Sequence, residues 1–514
     1  MRLSLLMRGI DPLRATEQPD GDVASVCYDS RRCNEGSLFV AIPGLKTDGH
    51  GFIADAVARG ARFVVHEGEF HPPAGVTALQ VRDSRRALGI IGKNLFGNPS
   101  AGICLIAVVG TNGKTTVTYL IESILRTAGC AVGVLGTVNY RYSGKTLPAP
   151  NTTPESFDMQ KILREMADSG VTHVVAEVSS HAIDLKRVDA CAFDLGIFTN
   201  LTQDHLDYHR TMENYFQAKR RFFTEVLPAG GKNRPRRMII NADDPWGRRI
   251  LTELGQDAGG GQFTYGLEPP CDVSASAVHL SLNGIEATLL TGGKRLQVSS
   301  RLLGRFNLSN ILAAAAAALS LDIPGRSIRD GITALIHVPG RLEKVSAAGQ
   351  PAVFVDYAHT DDALRRVLQT LSAYRTEKII TVFGCGGDRD RGKRPLMGEA
   401  ASSLSDLAVV TSDNPRAEDP LAIIREIETG IRTKRFADAG DWVRRPGERG
   451  YIVVPDRREA IAAAIGLAQS EDIVLIAGKG HEDYQIIGAR KLPFDDRVIA
   501  RAELARRQTG RDGS

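Results

Sequence analysis

Short apolar runs rich in β-branched residues alternate with longer stretches of helical spacing along most of this chain. Ser37 to Pro43, Phe63 to His66, Ile103 to Val109, Val171 to Val178 and Asp194 to Thr199 read as strands, and Ile53 to Arg59 as a helix. Beyond His337 the alternation is regular. Strands are predicted at Ala352 to Val355, Ile379 to Phe383, Leu407 to Val410, Tyr451 to Val454 and Ile473 to Ala477, with helices between them. That pattern predicts a doubly wound α/β domain. Breaks at Gly97-Asn98-Pro99 and at His337-Val338-Pro339-Gly340-Arg341 divide the chain into three domains, 1–98, 99–338 and 339–514. The fold class is therefore α/β throughout, with a mostly parallel sheet in the middle domain. Pro228 to Arg237 and Gly255 to Gln262 read as surface loops, Lys434 to Gly450 lacks periodicity, and the tail from about Arg506 is expected to fray.

Composition narrows the class. Hydrophobic residues make up 43% and charged ones 24% of the 514, which is the balance of a soluble globular protein. A formal net charge of +4 suits anionic substrates but is too small to argue for nucleic acid. The alanine-rich run Ile311 to Leu321 is far shorter than the ~20 residues a membrane span needs, so it reads as a buried helix. The N-terminal stretch MRLSLLMRGI is too short for a signal peptide. Seven cysteines without a C-x-x-C pair point to a reduced, cytoplasmic setting in which cysteine serves as a small core residue.

Candidate chemistry begins where the strand Ile103 to Val109 runs into Gly110-Thr111-Asn112-Gly113-Lys114-Thr115-Thr116 and a helix follows. Glycines at 110 and 113 let the backbone approach an anion and aim N–H groups at it, and the helix start adds the positive end of its dipole. Lys114 supplies a cation for the outer phosphates and the Thr115 hydroxyl a Mg²⁺ ligand. Val108 stands where the commoner phosphate-loop spacing has glycine, so the string in its strand-to-helix setting carries the assignment.

Three further positions have two readings each. Glu177 ends an apolar strand and is either a Mg²⁺ ligand or an exposed strand-end acid. His205, in the loop Asn200 to Asp207, is either a metal ligand or a capping histidine. Lys219 shares a helical face with Tyr215, Phe216, Phe222 and Phe223. A lysine there is either paired or chemically modified, or it snorkels to water. In the last domain four strand ends carry polar clusters: Asp356 to His359, Gly384 to Arg389, Asp413 to Arg416, and Gly478 to Glu482. Such loops form the ligand crevice of an open α/β sheet.

GTNGKTT, EVSSHA, NLTQDHLDYH, the QAK helix, GRFNLSN, PGRLE, DYAHT, FGCGGDRDRGKRP, DNPR and GKGHEDYQ occur together in this order. The set closely resembles the Mur ligases of peptidoglycan synthesis, over about residues 23 to 500, and within them the diaminopimelate-adding type. The resemblance implies an N-terminal UDP-substrate domain, a central phosphate-loop ATPase domain and a C-terminal Rossmann-like domain. It also implies an ATP-dependent amide ligase in which ATP phosphorylates the carboxylate of a UDP-N-acetylmuramoyl-dipeptide and the amine of meso-diaminopimelate attacks the acyl phosphate. By the same resemblance, Gly110 to Thr116 with Asn307, Arg341 and Asp356 would hold ATP. Thr115, Glu177, His205 and a carbamylated Lys219 would hold Mg²⁺, with Lys114, Lys219 and His205 catalytic. Tyr28, Ser30, Leu45, Lys46, Thr47, Asn151, Thr152, Thr153, Ser179 and Arg187 would bind the UDP-substrate. Arg389, Asp413, Asn414, Pro415, Arg416, Gly478 and Glu482 would bind diaminopimelate, with Glu482 facing its distal amine. Leu185 and Asp361 depart from the family pattern. The family implies a monomer without nucleic-acid or membrane partners. Folylpolyglutamate synthase shares the phosphate loop and the lysine helix but not the DNPR loop, and a purely hydrolytic phosphate-loop switch would not need four polar loops in a third domain.

Overall fold

The computed structural model describes all residues except 17–19, 45–46, 233–235, 256–260 and 512–514. The expected loop at 255–262 and the substrate calls at Leu45 and Lys46 fall largely or wholly outside the described residues. The chain forms two compact units. One comprises Met1–Ser276, Thr288–Gln297 and Ser309–Ile332, and the other Ala277–Ala287, Val298–Leu308 and Thr333–Ser514.

The first unit carries a five-stranded sheet in the order Arg14–Ala15, Thr77–Gln80, Ala61–His66, Ser37–Val40, Ser25–Cys27. Its last four strands are parallel. A second sheet has the parallel centre Arg237–Asn241, Leu195–Phe198, Cys104–Val109, His173–Val178, Val132–Leu135. Cys104–Val109 is buried at every position, as a strand covered on both faces must be. The helix Lys114–Thr127 follows it at once and buries Val117, Leu120, Ile121 and Ile124. A tight strand-to-helix turn is thereby fixed at the carboxyl edge of the sheet.

The sheet of the second unit runs Glu343–Lys344, Ala352–Asp356, Ile473–Ala477, Ile379–Phe383, Leu407–Val410, Gly450–Val453, Lys434–Arg435, parallel except at its first strand. Alternate residues feed two cores: Phe354 and Leu475 pack on one face, and Val353, Val355, Val474 and Ile476 on the other. All five strands expected here are present, and each of the four polar clusters sits at a strand's carboxyl end.

Several expectations are corrected. Residues 273–300, given no strand above, form Val273–Ser281, Gly284–Thr291 and Lys294–Ser300. Asn283-Gly284 and Gly292-Gly293 at their turns are the hairpin dipeptides that signal them. Lys434 to Gly450 is ordered by a short strand and the helix Ala439–Val443, whose buried Trp442 donates Nε1–H to the Glu448 carbonyl at 2.9 Å. The alanine-rich helix begins earlier than Ile311, spanning Arg305–Ser320. The final helix continues to Arg511 because Leu504 is buried and Arg507 donates to the Ile465 carbonyl. No described helix is long and apolar enough to cross a membrane.

The sheet of the second unit and its covering helices are clamped by one fully buried ion pair. Arg457 Nε and Nη2 donate to Asp496 at 2.8 and 2.7 Å, and Nη2 also reaches the Ala477 carbonyl at 2.9 Å. Removing one partner strands the other charge in the core, so Asp496→Ala is expected to cost about 3–5 kcal/mol in urea unfolding. A loss under ~1 kcal/mol would show that the pair does not hold these elements.

Candidate active site

The phosphate-loop string is built as its sequence requires. Gly113 takes φ +84° at the N-cap of the helix Lys114–Thr127, and a Cβ there would collide with the Asn310 side-chain oxygen. Neighbouring strand ends pin the loop. Asn112 N–H donates to Asn200 Oδ1 at 2.9 Å, Thr199 Oγ1 donates to the Asn112 carbonyl at 2.7 Å, and Thr111 Oγ1 meets Tyr215 OH at 3.0 Å.

Two groups of side chains converge on this loop. On one side Thr115 Oγ1 donates to Glu177 Oε2 at 3.0 Å, and Thr137 donates to the same carboxylate through N–H at 3.0 Å and Oγ1 at 2.9 Å. Glu177 is buried, which removes the exposed-acid reading. Thr137 was not picked out from the sequence. Its signal was only its place just past the strand Val132–Leu135.

On the other side lies Lys219, 1% exposed, so the snorkelling reading fails. Its Nζ donates to the Gly110 carbonyl at 2.8 Å and sits 4.5 Å from the centre of the Tyr215 ring. Lys114 Nζ donates to that same carbonyl at 3.0 Å and to Thr111 O at 2.8 Å. Among the described residues no carboxylate forms an ion pair with Lys219. Burial and then the charge of Lys114 hold its amine well below the ordinary lysine range, against a smaller pull from Asp204.

His205 stands on the left-handed N-cap of a short turn, 4.9 Å between ring centres from His181 and 6.2 Å from Tyr215. It makes no capping hydrogen bond. Burial lowers its pKa, and both Lys114 and Lys219 lower it further. His181 is pushed down to about 4, first by burial and then by His205 and His209. These imidazoles are neutral donors or ligands at neutral pH.

Among the described residues no three His, Cys, Asp or Glu side chains cluster as a metal cage. A metal here would take hydroxyl and carboxylate oxygens with phosphate oxygens completing its shell. That donor set fits Mg²⁺, which binds through few protein ligands plus substrate phosphates.

Hydrogen bonds connect Glu177 to the residues expected to bind the UDP-substrate. Thr153 Oγ1 donates to the Glu177 carbonyl at 2.9 Å and accepts from Ser179 N–H at 3.1 Å, while Thr152 and Thr137 hydroxyls lie 3.1 Å apart. The Asn151 carbonyl accepts from Tyr140 OH at 2.5 Å. Arg187 donates to Thr153 O at 3.1 Å and pairs with Glu155, which also takes Arg85 at 3.2 Å. Tyr28 OH donates to Asp158, Ser30 is the buried first residue of a turn, and the Thr47 carbonyl accepts from Gly44 N–H. Glu155, Arg85 and Asp158 were missed because nothing local marks them.

In the second unit Asp413 and Asn414 meet the Gly478 to Glu482 loop, and Arg416 bridges to Ile487 just beyond it. Lys479, fully buried, donates to Asn414 Oδ1 at 3.0 Å and to Glu482 Oε2 at 3.3 Å, and Asn414 Nδ2 donates to the same Glu482 oxygen at 2.9 Å. Glu482 therefore faces Lys479 and Asn414. Gly478 takes φ +114° where a Cβ would press on Asp413 Oδ2. Arg416 has φ +52°, held by N–H to Ile486 O at 3.1 Å, and its Nη1 donates to Gly387 O at 2.7 Å. Pro415 lies between Asn414 and Arg416, and Arg389 Nη1 donates to the Asp388 carbonyl at 3.2 Å. Asp356 is buried, accepts from Leu342 N–H and Ala358 N–H at 2.6 and 2.8 Å, and has its pKa raised by burial against the pull of Arg341. Arg341 lies over the Tyr357 ring at 4.8 Å and lines a cavity of about 320 Å³ with Leu303, His337 and Lys344. Asn307 Nδ2 donates to Leu303 O at 2.8 Å.

Three stretches of the chain match known domains: 22–94 the catalytic domain of the Mur ligase family, 108–318 the Mur ligase middle domain, and 340–480 the Mur ligase glutamate ligase domain. The chain belongs to the Mur ligase family. A protein of Geobacter metallireducens named UDP-N-acetylmuramoyl-L-alanyl-D-glutamate–2,6-diaminopimelate ligase is 50% identical over 499 residues, 97% of each chain. Its namesake from Geobacter sulfurreducens is 47% identical over 99% of this chain and 100% of its own. A solved structure bearing the same enzyme name matches with a TM-score of 0.70 and 33% identity, covering 99% of both chains.

A buried lysine with a depressed pKa binds fewer protons in the native than in the unfolded chain at any pH below the ordinary ~10.4. Folding is opposed there, and the opposition fades as pH rises to that value. In bicarbonate-free buffer Lys219→Met is expected to raise the urea midpoint at pH 7, with the gain shrinking toward pH ~10. No gain at pH 7 would mean that Lys219 is already compensated.

Proposed function

We propose that the protein is an ATP-dependent amide ligase joining meso-2,6-diaminopimelate to UDP-N-acetylmuramoyl-L-alanyl-D-glutamate in peptidoglycan precursor synthesis. Half-identity over nearly the full length of a relative carrying that enzyme name is the observation that carries this reading. The three matched stretches support a division of labour among domains 1–98, 99–338 and 339–514: sugar-nucleotide binding, ATP binding and amino-acid binding. The enzyme acts in the cytoplasm as a monomer.

In this reading Gly110 to Thr116 cradle the ATP phosphates with backbone N–H groups and the helix dipole, and Lys114 moves from the loop carbonyls to the outer phosphates. Asn307, Arg341 and Asp356 hold the nucleoside. Thr115, Glu177, His205 and Lys219 as its carbamate would hold Mg²⁺, which would supply charge neutralisation for the phosphates. Carbamylation fits the site because it replaces a cation that burial disfavours with an anion beside Lys114. Tyr28, Ser30, Thr47, Asn151 to Thr153, Ser179 and Arg187 position the UDP-substrate, together with Leu45 and Lys46. The diaminopimelate amine then attacks the acyl phosphate and phosphate leaves.

Arg416 is the selective element, with Arg389, Asp413, Asn414, Pro415 and Gly478 around it. Its guanidinium binds the distal carboxylate that lysine lacks, while Glu482, held by Lys479 and Asn414, takes the distal ammonium.

Phosphate release from ATP is expected only when both the UDP-muramoyl dipeptide and diaminopimelate are present; turnover with either omitted would refute the ligase reading. Arg416→Ala is expected to cut the preference for diaminopimelate over lysine, measured as relative kcat/KM, by about ten- to a hundredfold, the worth of a charged hydrogen bond at ~1.5–3 kcal/mol. An unchanged ratio would remove Arg416 from the pocket. Lys219→Ala should nearly abolish turnover and recover part of it with an added short carboxylate. Wild-type turnover in that variant would exclude the carbamate.

A further inference from the structure

The first sheet brings together two thiols that the ligase chemistry does not use. Cys27 ends the strand Ser25–Cys27, and Cys33 follows the 3-10 turn Ser30–Arg32. Their sulfurs lie 2.7 Å apart, against ~2.05 Å in a disulfide, so bonding requires a movement of well under an ångström. Cys191 and Cys385, by contrast, face Gln160 and Met397.

The two thiols are not equivalent. Cys27 is buried and lies 3.7 Å from the Leu38 carbonyl, whereas Cys33 is half-buried and open to a small oxidant. The hydrogen bond from Cys27 holds the Cys33 thiol below its usual range and Arg59 acts in the same sense, against burial and Asp29. The same contact, with burial, pushes Cys27 up. A half-buried sulfur in contact with a buried partner is the arrangement of an attacking and a resolving cysteine.

We infer that Cys27 and Cys33 form a reversible redox pair, which a hydroperoxide converts to a disulfide closing a ring over Tyr28 to Arg32. The Cys33 thiolate attacks a peroxide oxygen and the O–O bond breaks; with hydrogen peroxide the leaving hydroxide takes the proton that Cys33 released on ionising, so the products are a sulfenic acid on Cys33 and one water. Cys27 Sγ then attacks the Cys33 sulfur, the S–O bond breaks, and the hydroxyl leaves with the Cys27 proton as a second water. The two thiols lose two electrons and two protons, and the peroxide gains both. The ring encloses Tyr28 and Ser30, placed above against the sugar nucleotide, but formation of the bond does not depend on that reading.

The test treats reduced full-length protein with a slight excess of hydrogen peroxide, blocks remaining thiols with iodoacetamide and maps peptides by mass. A Cys27–Cys33 cross-link, short of two hydrogens and restored by dithiothreitol, is expected. Cys33→Ser should leave Cys27 alkylatable after denaturation, and Cys27→Ser should leave a sulfenic acid on Cys33 that dimedone traps. The inference is overturned if both cysteines of the wild-type protein remain alkylatable, if Cys33 proceeds to a sulfinic acid without bonding Cys27, or if the cross-link joins a different pair.

Discussion

Two lysine ammonium groups donate to one carbonyl oxygen, that of Gly110, at 3.0 and 2.8 Å. Everything around the loop follows from that concentration of positive charge beside a buried strand end. The helix dipole at Lys114 adds to it, and the pKa of His205 is lowered by burial and, against the pull of Asp204, by the same two lysines. Such an excess is relieved by loss of the Lys219 proton, which burial already favours, or by an anion brought to the loop. The lysines are thus held poised, each on a neutral carbonyl that is a weaker partner than a phosphate or carboxylate oxygen.

The opposite arrangement holds around Glu177. Its carboxylate is buried but accepts from the Thr115 and Thr137 hydroxyls and the Thr137 N–H, which are neutral donors. A carboxylate kept by neutral donors can share its oxygens with a hard cation, whereas a salt-bridged one must first give up its partner. The loop therefore sits between a cation-rich wall and an acid-and-hydroxyl wall, as handling of a metal-bound triphosphate requires. In the second unit the cluster around Asn414 is built differently. Its acids and its lysine are already paired, and the loops at the strand ends are interlocked through Asn414, which bonds both Lys479 and Glu482. Such a network fixes geometry before any ligand arrives.

Much of this was legible in the residues, and the exceptions are instructive. The strands of the parallel sheets announced themselves because both faces are covered, so their runs are continuously apolar. The hairpins of 273–300 did not, since their burial follows no two-residue period and serine and threonine interrupt their apolar positions. Lys219 stood out because a charge on an apolar helical face is costly. Thr137, Glu155 and Lys479 did not stand out, because a threonine after a strand, an acid before a helix and a lysine between glycines are ordinary in sequence. Their importance lies in what other segments bring to them.

Sequence alone was enough to determine the strand–loop–helix at 104–127, the polar strand ends of the last sheet and the family to which the chain belongs. Each of these is a property of neighbouring residues or of their order. Tertiary structure decided which of the open readings held: that Glu177 is buried against hydroxyls, that Lys219 is sealed from water and shares a carbonyl with Lys114, and that Cys27 touches Cys33. Burial and partner identity are sums over segments distant in the chain, so no local pattern encodes them, and the pKa values that govern the chemistry depend on both.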